Sequence, residues 1–437
     1  MGEPLNPLAK ELNEKIEGRA PAIMRVLSKL GRDLYYPKGI LTQSAEAKRK
    51  ATRYDATIGE AREHKHAMGL PAITRHLCEL DADQVLPYAP SAGRADLRAV
   101  WQNEIREKNP SLGDTPISLP VVTSGITHGL STIADMFVDP DDVILVPDKL
   151  WGNYLLVFEV KRGARVVRYP LLDLESGFDI AGFRAVIKAN MGVRKMLVLL
   201  NFPNNPTGYS ITEKEAEAIK ATLIEVVEAG CDVVAVCDDA YFGLFYGEEV
   251  MRESLFARLA CAHPSILAIK LDGASKEDFA WGLRVAFITY GVAGGADIYE
   301  ALEKKTAGCI RGTISNSSNL SQELVLRAMA DDDYRAQKAA RFAILESRAA
   351  KVKEVLADPI FSEAWQLYPF TGGYFLCLRL NTLDAEAYRV RLLNDYGVGV
   401  ISTSDTDIRV ALSCVDEDDF DDLFETMLRC ALEMLRK

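Results

Sequence analysis

The sequence predicts an α/β protein with a large, mostly parallel sheet and a smaller α+β part near the end of the chain. Short β-branched runs, typical of buried strands, occur at residues 119–123, 142–146, 164–169, 195–200, 232–237, 265–271 and 284–290. Amphipathic helical stretches such as 127–137 and 212–229 separate several of these runs. Strands that alternate with helices favour a parallel sheet with helices on both faces. The last two runs are neighbours in the chain, so one of them could be antiparallel.

The two ends of the chain complete this architecture. Residues up to about Arg53 form an N-terminal arm with one predicted helix at 8–17. A long charged helix is predicted at 332–356, followed by strands at 373–378, 397–401 and 408–412 and a closing helix from Glu417. We therefore expect an arm with part of the small domain at 1–65, a large domain at 66–331 and a C-terminal small domain at 332–437.

Composition excludes several classes of partner and site. The 51 Lys and Arg residues against 63 Asp and Glu give a net charge of −12, which disfavours nucleic acid or an anionic membrane as the main partner. The N-terminus lacks the apolar region of a signal peptide, and no apolar run approaches the ~20 residues of a membrane span, so we expect a cytoplasmic protein. The eight cysteines and five histidines show no metal-ligand spacing, so no metal site is expected.

Lys276 is the most informative single residue. Apolar runs flank it at 265–271 and 284–290, and Arg284 follows eight residues later. A lysine at the edge of a buried sheet can be held out of water and can form a Schiff base with a carbonyl group. Taken alone, the residue is more simply explained as an ordinary solvated loop lysine, and only the rest of the chain changes that.

Polar residues follow three of the predicted strands. Ligands of such folds collect beyond the carboxyl ends of parallel strands. The run 119–123 leads into Ser124 and Gly125 and then a helix start, which forms an anion site, although Thr127 could be a plain helix cap. The run 195–200 leads into a loop rich in Pro and Asn, which also has a purely structural reading. The run 232–237 leads into Asp238, a carboxylate that is costly at a strand end unless it meets a cation or a donor.

Five further motifs occur in a fixed order along the chain. They are Tyr88-Ala-Pro-Ser-Ala-Gly93, Asn205-Pro206-Thr207-Gly208, Asp238 with Tyr241, Lys276 with Arg284, and Arg409 in Ile-Arg-Val-Ala-Leu-Ser. Over about residues 57–415 the chain resembles the fold-type I pyridoxal-phosphate enzymes, and within them the class I aminotransferases. The resemblance implies the type I fold of pyridoxal-phosphate-dependent transferases, with a seven-stranded large domain. It also implies pyridoxal 5'-phosphate as cofactor and a homodimer with shared active sites.

The resemblance gives the central residues their roles. Lys276 would hold the cofactor as a Schiff base and later move the proton of the substrate. Asp238 would keep the pyridine nitrogen protonated, and Tyr241 with Asn205 would donate to the phenolic oxygen. Arg284 would bind the phosphate bidentately.

Further residues complete the implied site. Gly125, Ile126 and Thr127 would complete the phosphate cradle. Trp151 resembles the tryptophan that stacks on the cofactor ring in aspartate aminotransferases, although an ordinary core aromatic is the alternative. Tyr88 would reach the phosphate of the neighbouring subunit.

Substrate selection depends on two arginines and a glycine. Arg409 would clamp the α-carboxylate, with Gly59 closing over it. Arg311 resembles the second arginine of aspartate aminotransferases, which binds a side-chain carboxylate across the dimer; a surface arginine is the alternative. We therefore expect aspartate or glutamate as amino donor and a 2-oxo acid such as 2-oxoglutarate as acceptor. A lyase or decarboxylase on the same fold, an aminotransferase for aromatic or neutral amino acids, and a non-catalytic sensor remain alternatives.

Two positions depart from the family pattern. Three residues before the lysine the family usually has Ser or Thr for the phosphate, and this chain has Gly273. Behind the aspartate that binds the ring nitrogen the aspartate branch usually has histidine, and this chain has Tyr154. Both departures loosen the assignment to one subfamily.

Overall fold

A seven-stranded sheet forms the centre of the computed structural model, which describes residues 5–36, 39–174 and 177–436. In chain order the strands are β1 Val121–Thr123, β2 Val143–Pro147, β3 Arg165–Tyr169, β4 Lys195–Asn201, β5 Asp232–Asp238, β6 Ile266–Gly273 and β7 Ala286–Gly291. Their order across the sheet is β1-β7-β6-β5-β4-β2-β3. Only β7 is antiparallel, to both β6 and β1. The predicted fold class and its one antiparallel member are therefore confirmed.

Helices cover both faces of this sheet and build much of the rest of the chain. They span Pro7–Arg19, Pro21–Val26, Lys29–Asp33, Ile40–Lys50, Pro71–Thr74, Ala82–Val85, Ala95–Lys108, Ile126–Phe137, Ile180–Asn190, Glu213–Glu228, Leu255–Leu259, Ala274–Glu277, Tyr299–Thr313, Asn319–Met329, Tyr334–Leu356, Ala385–Tyr396 and Phe420–Leu435. Within its described residues, 5–36 and 39–53, the arm contains four helices rather than the one predicted. Among the described residues, no helix combines the length and apolarity that crossing a membrane requires.

All strands of the sheet except the edge strand β3 are largely buried, and their successive side chains enter the layers on opposite faces. In the middle strands Val198, Ala235 and Ala268 pack into one apolar cluster, whereas Val236 and Ile269 pack into the other. Side chains of a strand alternate between the two faces, so a strand covered on both sides reads as a continuous apolar run. This is why the seven runs could be located from sequence.

The smaller sheet differs from the prediction in two places. Its strands are β8 Trp365–Leu367, β9 Phe375–Leu380, β10 Ile401–Ser402 and β11 Asp407–Ala411, in the order β8-β9-β11-β10, all antiparallel. The strand β8 was not predicted. The predicted strand 397–401 is divided, because Val398–Gly399 pairs in parallel with Tyr54–Asp55 of the arm whereas β10 pairs with β11. The arm is thereby joined to the C-terminal part of the chain, while the expected domain boundaries stay a prediction.

The cysteines are all free, as their spacing predicted. Cys231, Cys237, Cys377 and Cys430 are buried and act as small apolar side chains in the core. Cys78 and Cys261 are exposed.

Candidate active site

The polar residues that follow β1, β4, β5 and β6 meet at one edge of the central sheet. Gly125 lies just beyond β1, Asn205 follows β4, Asp238 ends β5, and Lys276 lies on the short helix Ala274–Glu277 directly after β6. These four strands are parallel, so their carboxyl ends lie on the same side of the sheet. The edge therefore collects an amine, a carboxylate, an amide and a helix start.

The Lys276 amine is held among aromatic rings. Its Nζ donates a hydrogen bond to the Gly59 carbonyl oxygen at 2.5 Å and lies 5.3 Å from the ring centre of Tyr241 and 5.5 Å from that of Tyr374. Burial, together with the positive charges of Arg409 and Arg284, lowers the pKa of Lys276 to about 8. A substantial fraction of the amine is therefore neutral, and thus nucleophilic, near neutral pH.

Gly59 contacts the lysine through its carbonyl oxygen. A Cβ at Gly59 would lie 3.3 Å from Lys276 Nζ, so a larger residue here would crowd the amine. The backbone group that binds Arg409 belongs to Thr57, whose carbonyl oxygen accepts a hydrogen bond of 2.9 Å. The expected closure of Gly59 over the substrate carboxylate stays a prediction.

Asp238 is a buried acid supported by two donors. Tyr154 donates a hydrogen bond of 2.6 Å to Oδ2, and the Ala240 backbone N–H donates to Oδ1 at 3.1 Å. Burial raises the pKa of Asp238 to about 6 in spite of these donors. Among the described residues no Lys, Arg or His nitrogen lies within 4.0 Å of the carboxylate. Such a carboxylate is suited to accept a hydrogen bond from a protonated, positively charged nitrogen of a bound ligand.

Trp151 packs beside this acid. Its ring meets that of Tyr154 edge to face, with the ring centres 5.8 Å apart and the planes at 85°. Trp151 is half-buried, whereas Tyr154 is fully buried. The indole thus packs on the tyrosine that donates to Asp238 and keeps part of its surface exposed.

Arg409 is a buried guanidinium that has no acid partner among the described residues. Its two terminal nitrogens donate to Asn205 Oδ1 at 3.1 Å and to the Thr57 carbonyl oxygen, and it lies 4.0 Å above the ring centre of Phe375. Its Nε has no hydrogen-bond partner among the described residues. Burying an uncompensated cation is costly, so the site is suited to an anion.

A second positive group faces the helix Ile126–Phe137. A Cβ at Gly125 would lie 2.1 Å from Arg284 Nη2, and Gly125 has a φ of +80°, so this position requires glycine. Arg284 itself has a φ of +56° and donates to the Trp281 carbonyl oxygen at 3.1 Å. Ile126 begins the helix, whose first turn carries no acid, and Thr127 is half-buried in that turn. Backbone N–H groups and a guanidinium thus face the same space.

Tyr241 lies between these groups. Its ring packs edge to face on Tyr374 and Phe375, with ring centres 5.5 and 5.7 Å apart. Burial raises the pKa of the Tyr241 phenol, so the hydroxyl stays protonated and can act as a donor.

Two predicted site residues are exposed in the single chain. Tyr88 is 90% exposed. Arg311 is exposed in the last turn of the helix Tyr299–Thr313. Both were assigned to the site of a neighbouring subunit, so these assignments stay predictions.

Several site residues were missed from sequence. Tyr374 donates a hydrogen bond of 2.8 Å to the Lys276 carbonyl oxygen and Phe375 supports Arg409. Lys270, fully buried, lies 2.5 Å from Asp239 and 3.3 Å from Asp272. The two adjacent acids Asp238 and Asp239 were a sequence signal for part of the ion-pair network around Lys270. Tyr374 and Phe375 gave no such signal, because aromatic residues in an apolar run look like ordinary core residues.

Gly273 explains why the usual hydroxyl residue is absent. A Cβ at this position would lie 2.6 Å from both the Ala286 Cα and the Val285 carbonyl oxygen. Strand β7 therefore approaches β6 too closely for a serine or threonine. The departure noted in the sequence is a packing requirement of this chain.

Comparison with known proteins agrees with this geometry. The sequence profile of the family "Aminotransferase class I and II" matches residues 57–427. The chain belongs to the class I and II aminotransferases. Members of this family use pyridoxal 5'-phosphate, so the resemblance and the cofactor drawn from the motifs are confirmed.

The relatives of this aminotransferase differ in the substrates that their names give. Aspartate aminotransferase of Bacillus subtilis is 27% identical over 49% of this chain and 50% of that protein. A probable N-acetyl-LL-diaminopimelate aminotransferase of the same organism is 22% identical over 81% of this chain and 83% of the relative. An arginine–pyruvate transaminase of Pseudomonas aeruginosa is 27% identical over 72% of this chain and 73% of that protein.

Solved structures show the same fold. An aminotransferase from Anaerococcus prevotii superposes with a TM-score of 0.81 at 21% identity, covering 91% of this chain and 97% of that one. Kynurenine aminotransferase of Pyrococcus horikoshii superposes with a TM-score of 0.78 at 18% identity, covering 94% and 98%. At these identities the likeness concerns the fold alone.

Proposed function

We propose that this aminotransferase moves an amino group from aspartate or glutamate to a 2-oxo acid such as 2-oxoglutarate. The observation that carries the proposal is the meeting of an amine, a buried acid and a buried unpaired guanidinium at one sheet edge. Lys276 supplies the amine, Asp238 the acid and Arg409 the guanidinium. Amino transfer needs a covalent tether, a proton held on the cofactor ring and a grip on the substrate carboxylate.

The residues fit pyridoxal 5'-phosphate. When bound, this group supplies a ring that draws electron density from the substrate α-carbon. Asp238 holds a proton at the pyridine nitrogen, which matches a buried carboxylate that lacks a cation. Arg284 and the backbone of Gly125 and Ile126 bind the phosphate, since Arg284 Nη2 lies against Gly125 where no acid competes.

Four further side chains position the cofactor in this proposal. Tyr241 and Asn205 donate to the phenolic oxygen; the Asn205 Oδ1 already accepts from Arg409, which leaves its amide N–H groups for the ring. Thr127 adds a hydroxyl to the phosphate cradle. Trp151 stacks on the ring, as its half-buried position beside Tyr154 supports.

Lys276 performs the proton transfer at the substrate α-carbon. Its lowered pKa of about 8 keeps part of the amine unprotonated, as a base requires. The Gly59 carbonyl accepts a hydrogen bond from the amine and orients it while it is free. Burial among Tyr241 and Tyr374 excludes water from the same space.

Arg409 binds the α-carboxylate of the substrate. Its unpaired Nε and the absence of an acid partner among the described residues leave the guanidinium able to receive an anion. Thr57 and Phe375 hold its plane in place, so the carboxylate meets a fixed fork.

A homodimer with shared sites and a cytoplasmic location belong to this proposal. The exposed Tyr88 reaches the phosphate of the neighbouring subunit, and Arg311 binds the side-chain carboxylate there. Arg311 has no hydrogen-bond or ion-pair partner within the described part of the chain, so it is available for such a contact.

The activity is tested with the purified, cofactor-loaded enzyme and single amino acids. Aspartate or glutamate should convert the yellow form to the pyridoxamine form with release of the matching 2-oxo acid, and 2-oxoglutarate should reverse this. Lys276→Ala should abolish turnover, whereas the exposed Lys304→Ala on the helix Tyr299–Thr313 should not change it. Pyruvate with free ammonia, or carbon dioxide, as the product would overturn the proposal in favour of a lyase or decarboxylase.

Substrate choice is tested at Arg311. Arg311→Ala should lower kcat/KM for aspartate and glutamate by about 100-fold, because one charge-assisted contact of roughly 1.5–3 kcal/mol is lost. Aromatic amino acids should change less than about threefold, and Lys304→Ala should leave both classes unchanged. Equal losses for both classes would show that Arg311 does not select the substrate.

A further inference from the structure

His128 connects the start of the helix Ile126–Phe137 to a second helix. Its Nδ1 accepts a hydrogen bond of 3.1 Å from the Ser124 backbone N–H. A ring nitrogen that accepts cannot carry a proton, so the imidazole is neutral with its hydrogen on Nε2. That Nε2 lies 3.3 Å from Thr313 Oγ1, the last residue of the helix Tyr299–Thr313.

The hydroxyl of Thr313 is oriented to accept this bond. It donates to a backbone carbonyl of its own helix, at 3.1 Å from Ile310 and 3.2 Å from Cys309. Its lone pair is therefore directed outward and receives the Nε2–H of His128. The chain of donors runs in one direction, from Ser124 through His128 to Thr313.

We infer that His128 is a positioning residue for the phosphate-binding turn formed by residues 124–127. This inference rests on the proposed placement of the phosphate at Gly125, Ile126 and Arg284. Gly125 makes the turn with a φ of +80°, a conformation that glycine adopts but does not enforce. The bond from Ser124 to His128 restricts the residue immediately before that glycine, and it thereby fixes the direction of the N–H groups that follow.

The surroundings of His128 favour its neutral form. Burial lowers the pKa of His128, and Lys161 lowers it further, whereas Asp135 on the same helix opposes them. Asp135 is itself engaged by Arg162 at 3.3 Å and by the Cys309 thiol of the facing helix at 3.7 Å. The imidazole thus remains an acceptor for Ser124.

The test measures cofactor affinity rather than turnover. Apoenzyme is titrated with pyridoxal 5'-phosphate, with pyridoxal and with inorganic phosphate, followed by protein fluorescence. His128→Phe should weaken the binding of pyridoxal 5'-phosphate and of phosphate by about tenfold, because the Ser124 N–H loses its hydrogen-bond acceptor. His128→Gln, which keeps an acceptor and a donor, should stay within about threefold of the parent. Pyridoxal, which lacks the phosphate, should bind all three proteins equally.

Two further variants make the outcome unambiguous. Thr313→Val removes the hydrogen-bond acceptor of His128 without changing the turn itself. It should weaken the binding of phosphate by about threefold. It therefore replaces His128→Phe if that variant fails to fold. Arg284→Ala tests the phosphate placement itself. If Arg284→Ala leaves phosphate affinity unchanged, the proposed function of this turn fails. If Arg284→Ala weakens phosphate binding and the His128 and Thr313 variants do not, only the positioning role of His128 is overturned. The same conclusion follows if the His128 variants weaken the binding of pyridoxal as much as that of pyridoxal 5'-phosphate.

Discussion

Tyr154 donates a hydrogen bond of 2.6 Å to Asp238, and both side chains are buried. The resemblance leads one to expect a histidine at this position, and histidine changes charge near neutral pH. The tyrosine does not, because burial raises the pKa of Tyr154 well above its usual value. The acid that is proposed to hold the pyridine nitrogen therefore keeps one constant donor over the whole physiological range.

Removal of this donor should shift the pH dependence of the enzyme. The Tyr154 hydrogen bond lowers the pKa of Asp238, which burial raises to about 6. In Tyr154→Phe the pKa of Asp238 should rise, so the acid becomes protonated at higher pH and can no longer hold a pyridinium. We expect kcat to fall by about tenfold, with the acidic limb of the pH profile moved upward and KM changed little. Steady-state kinetics across pH measures both effects.

Tyr169→Phe is the matched control for this change. Tyr169 is equally buried but donates to the Leu199 carbonyl oxygen at 2.8 Å, away from Asp238. It should lose some stability and keep the parental pH profile. An identical profile for Tyr154→Phe would contradict the role given to that hydrogen bond.

Arg409 should discriminate between substrates with and without an α-carboxylate. Arg409→Lys keeps the charge but not the planar fork, and it should lower kcat/KM for amino acids by about 100-fold. Simple alkylamines, which have no carboxylate, should react at nearly the parental rate. The ratio of the two rate constants is the quantity to measure.

Arg379 is the control for Arg409, because it is an exposed arginine on strand β9 of the same small sheet. Arg379→Lys should leave the ratio of amino acid to amine turnover unchanged. If Arg409→Lys reduces both substrate types alike, the guanidinium acts on the structure of the site and not on the carboxylate.

Lys270 should be essential for stability rather than for chemistry. It is fully buried between Asp239 and Asp272, and Ser254 and Trp101 donate to these two carboxylates at 2.6 and 3.1 Å. Lys270→Met would leave two acids buried without their cation, so the free energy of unfolding should fall by about 3–5 kcal/mol. Urea unfolding of the apoenzyme measures this change.

The loss of unfolding free energy caused by Lys270→Met should become smaller as the pH is lowered. Burial already raises the pKa of Asp239, and without the lysine this folded-state pKa rises further above the unfolded value. Protonation then favours the folded protein, so stability is regained with falling pH. Lys29→Met, which removes an exposed pair with Asp33, should not move the unfolding midpoint. A deficit independent of pH would contradict this account.

The central sheet could be predicted because its strands are covered on both faces. Val143–Pro147 is buried at every position, and such a run reads as a strand without knowledge of its partners. The division of 397–401 could not be predicted, because the pairing of Val398–Gly399 with Tyr54–Asp55 joins segments that are distant in the chain. Long-range pairing leaves no local signal.

The candidate site shows the same limit. Lys276 and Asp238 were predicted because charged residues next to apolar runs are unusual, and Arg409 was predicted because it lies in a motif that resembles the family's. Tyr374 and Phe375 were missed, since aromatic residues in a buried strand look like ordinary core. The contact of Gly59 with Lys276 was not predicted, because it depends on the path of the arm across the site, which sequence spacing does not fix.

Gly273 should not accept the serine that the family usually carries three residues before the lysine. A Cβ there would lie 2.6 Å from the backbone of β7, at the Ala286 Cα and the Val285 carbonyl oxygen, so the two strands would have to separate. Gly273→Ser should therefore lower the thermal unfolding temperature and weaken cofactor binding, although it adds a hydroxyl near the phosphate turn. Gly308→Ala is the control, because this helical glycine has no neighbour within 4 Å of a Cβ and alanine should stabilise the helix by about 0.5–1 kcal/mol. Tighter binding of pyridoxal 5'-phosphate by Gly273→Ser at unchanged stability would show that β6 and β7 can separate without cost.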